Sequence, residues 1–211
     1  MDNEADQSID PKDAAILHAA FTAFARYGLR RTSMADIAKG AGMSRPALYL
    51  RYAGKEDIFN ALVRIHFERS EKAVVRVLAT PGDAVSILRA TFHAIDGDAM
   101  EAMMNSPHAD EILSADTPFS QPAVQEAHTR ITRHIARWIE AGVAEGRLGL
   151  EGLGATADEV AATIMATKFG IKATSKDFAA YRAAEARVAA IFGKALSGQR
   201  EGSARQCEAG G

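Results

Sequence analysis

Apolar residues recur at spacings of three and four along most of this chain, the signature of amphipathic helices. No Val/Ile/Thr-rich alternating stretch bounded by tight-turn dipeptides points to a strand. Asp10-Pro11 reads as a cap followed by proline at the first helical position, and Ile16, Leu17, Ala20, Phe21, Phe24 and Ala25 form one stripe. That helix should stop near Tyr27-Gly28, where glycine can take a left-handed cap. Thr32-Ser33 announces a short helix from Met34 to Lys39, and Gly40-Ala41-Gly42-Met43 a tight turn. Ser44 caps another short helix reaching about Tyr52, with Pro46 in its first turn, where a missing N–H does no harm. A long helix follows from Lys55 to about Leu78, broken by Thr80-Pro81-Gly82.

The later pattern is helical as well. Residues 83–95 form one helix, and 98–105 and 108–115 two short ones. Pro118 and Pro122 bracket a loop. The stretch 123–145 is long, with Ile131, Ile135, Trp138, Ile139 and Val143 on one face. After a glycine-rich connection over 146–155, helices from Ala157 to about Lys172 and from Lys176 to Leu196 close the fold. The expectation is an all-α chain of nine or ten helices. Its parts are a disordered 1–9, a three-helix unit over 10–54 with its motif at 33–52, a helical body over 55–197, and a flexible tail over 198–211.

Composition narrows the function classes. The chain has 211 residues, 47 % hydrophobic and 25 % charged, with a formal net charge of −2, an ordinary soluble balance. No apolar run approaches the roughly 18 residues of a membrane span, and the acidic start MDNEADQSID is the opposite of a secretory signal. A cytoplasmic location and no membrane partner are therefore expected. The lone cysteine, Cys207, can form no internal disulfide. His93, His108, His128 and His134 lack the spacing of a helical zinc site, and no nucleophile-base context or phosphate-binding glycine loop occurs. No catalytic residue, metal or cofactor is expected. The charge distribution is more telling: between residues 26 and 55 lie seven cations, Arg26, Arg30, Arg31, Lys39, Arg45, Arg51 and Lys55, against one acid, Asp36. A local basic patch on a near-neutral body suits a phosphate-contacting face.

Residues 33–52, SMADIAKGAGMSRPALYLRY, give that patch a shape. Met34, Ile37, Ala38 and Leu48 let two short helices share a small core, and Gly42 reaches positive φ at the turn. This describes a helix-turn-helix whose second helix can enter a major groove. Arg45 suits guanine O6 and N7, and Pro46 or Ala47 a thymine methyl, with Ser44 capping. Tyr49, Arg51, Lys55, Thr32 and Ser33 stand at distances suited to backbone phosphates.

The stretch GLRRTSMADIAKGAGMSRPALYLRYAGKEDIF, residues 28–59, resembles the TetR family of transcriptional regulators. The resemblance covers roughly residues 11–66. It implies a homodimer with three N-terminal DNA-binding helices and six or seven more for ligand binding and dimerisation. It also implies phosphate contacts at Tyr49 and Lys55 and base reading by Arg45 with Ala47. Leu50, Arg51, Tyr52 and Gly54 depart from the family pattern, and Arg51 adds charge in compensation. The function implied is a repressor of a near-palindromic double-stranded DNA operator, released by a small, largely apolar effector. The alternatives are an activator, a regulator without a ligand, or a helical carrier. Phe92, Met104, Trp138 and Phe169 are the candidate effector-pocket residues. Phe178, Tyr181, Val188, Ile191 and Phe192, among the alanines of the last helix, are the candidate dimer contacts.

Overall fold

A computed structural model describes residues 9–113 and 121–197. The expected disordered start, the tail with Cys207 and the loop at Pro118 lie outside these, apart from Ile9. Among the described residues there are ten helices and no strand: α1 (Pro11–Tyr27), α2 (Met34–Gly40), α3 (Arg45–Tyr49), α4 (Lys55–Leu78), α5 (Ala84–Asp96), α6 (Ala99–Met104), α7 (Ala109–Leu113), α8 (Gln121–Ala144), α9 (Ala157–Thr174) and α10 (Phe178–Leu196). None is long and apolar enough to cross a membrane.

Helix starts follow the capping signals. Asp10, Ser33, Ser44, Asp83, Thr156 and Asp177 each accept a backbone N–H of the first turn they precede. These bonds satisfy donors that have no partner within the helix. The start of α8 lies earlier than the sequence suggests. Pro122, read as a loop residue, sits in the first turn of α8, where it has no helical bond to lose.

Contacts divide the chain into two compact units. One comprises residues up to His66 together with Ala99–Val124, and the other Phe67–Asp98 together with the chain from Gln125 on. The first is therefore larger than the stretch 10–54. Its core joins Ile16, Leu17, Ala20 and Phe24 of α1 to Ile37 and Ala38 of α2, Leu48 of α3, Ile58 and Phe59 of α4, and Ile112 of α7. Phe24 and Phe59 meet edge to face at 5.8 Å, a favoured aromatic geometry. Ser106 ties in the α6–α7 region by donating its hydroxyl hydrogen to the Ala25 carbonyl at 2.6 Å. Gly28 permits this approach: its φ is +81°, and a Cβ there would lie 2.5 Å from Glu111 Oε2.

The second unit packs Leu88 and Phe92 of α5, Ile131, Ile135, Trp138 and Ile139 of α8, Ala161, Ile164 and Met165 of α9, and Val188 and Ala189 of α10 around one core. α5 and α10 cross tightly at Gly193, where a Cβ would fall 2.6 Å from the Cα and Cγ2 of Val85. Gly193→Ala should therefore destabilise this unit by about 1–3 kcal/mol, the usual cost of overpacking. A urea unfolding curve read from Trp138, the chain's one tryptophan, checks it.

Candidate functional site

The helix-turn-helix is built from short elements that borrow rigidity. Ser33 Oγ accepts the Asp36 N–H at 3.3 Å, and the Asp36 carboxylate accepts the Ser33 N–H at 2.9 Å, a reciprocal capping box. Gly42 carries the turn at φ +67° in open space, so its requirement is conformational. Gly40 is held small for another reason: a Cβ there would lie 3.1 Å from the Cβ of Ala19 on α1. Leu48 is fully buried and anchors α3.

That anchoring leaves the other faces of α3 in solvent. Ser44, Arg45 and Pro46 are exposed, and Ala47 is half-buried. Among the described residues, no hydrogen bond or ion pair engages the Arg45 guanidinium. Tyr49 is 48 % exposed and Leu50, just past the helix, 88 %. The Arg30 side chain is 92 % exposed and stands 3.9 Å from the Glu111 carboxylate, which accepts the Arg30 N–H, and Arg31 and Lys39 also face solvent.

Four of the sequence-predicted contacts are placed differently. Thr32 is 1 % exposed, and its hydroxyl lies 2.7 Å from the Gly28 carbonyl and 3.2 Å from that of Ala23. It therefore ties down the α1–α2 connection and is not turned toward a phosphate. Ser33 engages Asp36, whose carboxylate already occupies the start of α2 and would repel an incoming phosphate. Arg51 pairs with Asp13 at 2.7 Å and Asp10 at 3.3 Å, so its charge is neutralised by the first turn of α1 instead of being added to the basic face. The Lys12 amide, and after it Arg51, hold the Asp10 carboxyl below its ordinary range. Lys55 donates to the Arg30 carbonyl at 2.8 Å and the Thr32 carbonyl at 3.0 Å. An ammonium has three donors, so two of them brace the α1–α2 loop.

The second unit holds a polar cluster that the sequence reading missed. Lys168, 2 % exposed, donates to Asp96 Oδ1 at 2.6 Å, Tyr181 Oη at 2.6 Å and Glu185 Oε1 at 2.8 Å. Tyr181 in turn donates to Asp96 Oδ1 at 2.9 Å. Arg182 closes the set, 2.6 Å from Glu185 Oε2 and 3.6 Å from Asp96 Oδ2. Burial raises the Glu185 carboxyl above its usual range against the pull of Lys168. Burial and the two carboxylates keep the Tyr181 phenol protonated. The signal was present in the sequence: Lys168 continues the α9 stripe of Ala161, Ile164 and Met165, and Glu185 lies between Tyr181 and Val188 on the buried face of α10.

This cluster bears on the pocket and dimer candidates. Phe92 is fully buried, its ring 5.9 Å below Lys168 Nζ. Phe169 stacks on His128 at 3.8 Å, and Trp138 belongs to the core. Met104 ends α6 in the other unit. Tyr181 and Val188 are 0 % and 6 % exposed, so they lie inside the chain's own core and not on the outward face expected of dimer contacts. Ile191 is 65 % exposed, and Phe178 and Phe192 are half-buried.

Comparison with known proteins gives a consistent picture. Residues 16–62 match the model of bacterial regulatory proteins, tetR family. An HTH-type transcriptional regulator of Bacillus subtilis, YezE, is 34 % identical over 79 residues, 37 % of this chain and 41 % of that protein. The HTH-type transcriptional repressor KstR2 of Mycobacterium tuberculosis is 27 % identical over 153 residues, covering 69 % and 73 % of the two chains. Among solved structures, a Cytophaga hutchinsonii transcriptional regulator superposes with a TM-score of 0.73 at 20 % identity, over 90 % of this chain and all of that one. Salmonella enterica GusR gives 0.70 at 20 %, over 92 % and 100 %. These two likenesses concern the fold.

Two outcomes follow. Thr32→Val should lower stability by about 1 kcal/mol through its lost hydrogen bond, and any loss of DNA affinity should disappear under conditions where the variant is fully folded; parallel melts and binding titrations test this. His128 is held down at about 4 from 6.5 by burial and by Lys172 and Lys168. The unfolded chain therefore takes up this proton first as the pH falls, and the stability from neutral His128 is lost between pH 6.5 and about 4. His128→Gln should flatten that part of a stability-against-pH profile.

Proposed function

The chain belongs to the TetR family of bacterial regulatory proteins, and from that premise we propose that it represses transcription as a homodimer on a near-palindromic operator until a small effector releases it. It is a DNA-binding transcriptional regulator and not an enzyme. One observation carries the finer reading: Arg45, at the first position of a helix whose one fully buried residue is Leu48, is exposed and, among the described residues, unpaired beside Pro46 and the cap Ser44. A guanidinium so placed suits bidentate pairing with guanine in a major groove. Tyr49, Arg30 and Arg31 are exposed within the same unit, suited to phosphates. Lys55 retains one donor for a phosphate while it braces the loop.

Repression is supported by the name of the KstR2 relative. The dimer face we assign to the outward side of α10 around Ile191, with Phe178 and Phe192 at its edges. Two copies related by a two-fold axis place two α3 helices on successive grooves. Helix α4 belongs to the DNA-binding unit through His66 and to the second unit from Phe67. An effector with different affinity for two conformations of the second unit therefore has a continuous helix through which to act.

Footprinting on the DNA flanking the chain's own gene should show one discrete palindrome, protected by a dimer in sedimentation. Arg45→Ala should weaken the cognate site by about 1–3 kcal/mol while random DNA is little affected. Equal losses on both DNAs would remove Arg45 from base reading. Diffuse protection would instead point to an architectural binder.

A further inference from the structure

The cluster inside the second unit is unevenly charged. Three cations, Lys168, Lys172 and Arg182, stand with two carboxylates, Asp96 and Glu185. Lys168 and Arg182 engage both carboxylates, and Lys168 uses all three of its hydrogens on Asp96, Glu185 and Tyr181. Lys172 follows one turn later on α9, so its side chain emerges beside that of Lys168. It is half-buried, and no hydrogen bond or ion pair engages its ammonium among the described residues. Burial and the neighbouring Lys168 hold its pKa below the ordinary lysine value, only partly opposed by Asp96. A half-buried cation without a partner is partly desolvated, and an anion brought beside it would offset that cost.

The surroundings indicate what that anion is attached to. Lys172 stands three residues after Phe169 on α9, on the same helix face, and the His128 ring lies against Phe169. The ring is stacked on Phe169 at 3.8 Å and meets the edge of Phe67 at 5.4 Å. Held neutral, its imidazole has one N–H to donate, and no hydrogen bond of the ring is recorded among the described residues. Phe67, Phe169 and Ile171 are only partly buried against the core, so apolar surface remains beside the two polar heads. A second polar atom of the cluster, Asp96 Oδ2, also lacks a hydrogen bond, but Arg182 stands 3.6 Å away.

We propose that the effector is a small apolar carboxylic acid, its carboxylate paired with Lys172 and accepting the His128 N–H, its hydrocarbon body against Phe67 and Phe169. This rests on the reading of the chain as an effector-released repressor. The acid neutralises the excess positive charge of the cluster. A ligand of the same shape without charge leaves Lys172 unpaired and displaces only water.

The test uses the full chain with sodium benzoate, phenylacetate, hexanoate and decanoate, each beside its primary amide. At least one acid should raise Tm with concentration and release labelled operator DNA over the same range, and its amide should do neither. Lys172→Met should weaken acid binding about tenfold or more, the loss of one charge-assisted contact, and Lys172→Arg should restore most of it. Circular dichroism establishes that both variants are folded. The proposal is overturned if no acid binds, if acid and amide act alike, or if folded Lys172→Met responds as the parent does. An acid that raises Tm without releasing DNA would keep the site and remove the repressor-release reading instead. Failure of the acid-free parent to bind operator would overturn the regulatory reading.

Discussion

An isolated helix shorter than about 12 residues is marginal in water, and α3 has five. The rest of the DNA-binding unit exists under that constraint. Leu48 is the only residue of α3 that is fully buried, so the pose of Arg45 depends on how firmly that one side chain is seated. Ser44 secures the first turn, and Gly42 sets the entry angle. Lys55 and Thr32 hold the α1–α2 connection from both sides, and Gly40 lets α2 rest on α1. Several residues that look like DNA contacts in the sequence turn out to be the supports that keep a one-turn element rigid.

That distinction explains what was legible. Helix starts could be read because a cap is a local event: Ser33, Ser44, Asp83 and Thr156 act on amides within three residues of themselves. The fold class and the helix-turn-helix followed from apolar spacing and Gly42. The fates of Arg51 and Lys55 were not legible, since each is decided by partners far away in sequence: Asp10 and Asp13, and Arg30. A cation in a basic stretch reads the same whether it is free like Arg45 or paired like Arg51. The extent of the first unit was hidden for the same reason, because α6 and α7 join it through Ser106, Ile112 and Glu111.

The second unit shows the opposite economy. Lys168, Asp96, Glu185 and Tyr181 lie within an alanine-rich and isoleucine-rich interior where apolar residues of similar size would pack without desolvating a charge. Such a network contributes little to net stability, yet it links α5, α9 and α10 through bonds that tolerate little displacement. Tyr181 stands among the alanines of α10, which is why it was read as an outward contact. Only the polarity of Lys168 and Glu185 within buried stripes marked them as out of place.

The pairing of Arg51 with the first turn of α1 has one more consequence. Each phosphate neutralised by a protein cation frees condensed counterions, which is why affinity for DNA falls as ionic strength rises. A guanidinium already matched by two carboxylates releases few ions when a duplex arrives, and a brace such as Lys55 keeps part of its hydrogen-bonding capacity turned inward. On the proposed operator, sensitivity to salt is therefore set by fewer groups than the seven cations between residues 26 and 55 suggest, and the base reading proposed for Arg45 takes a correspondingly larger share of the total affinity.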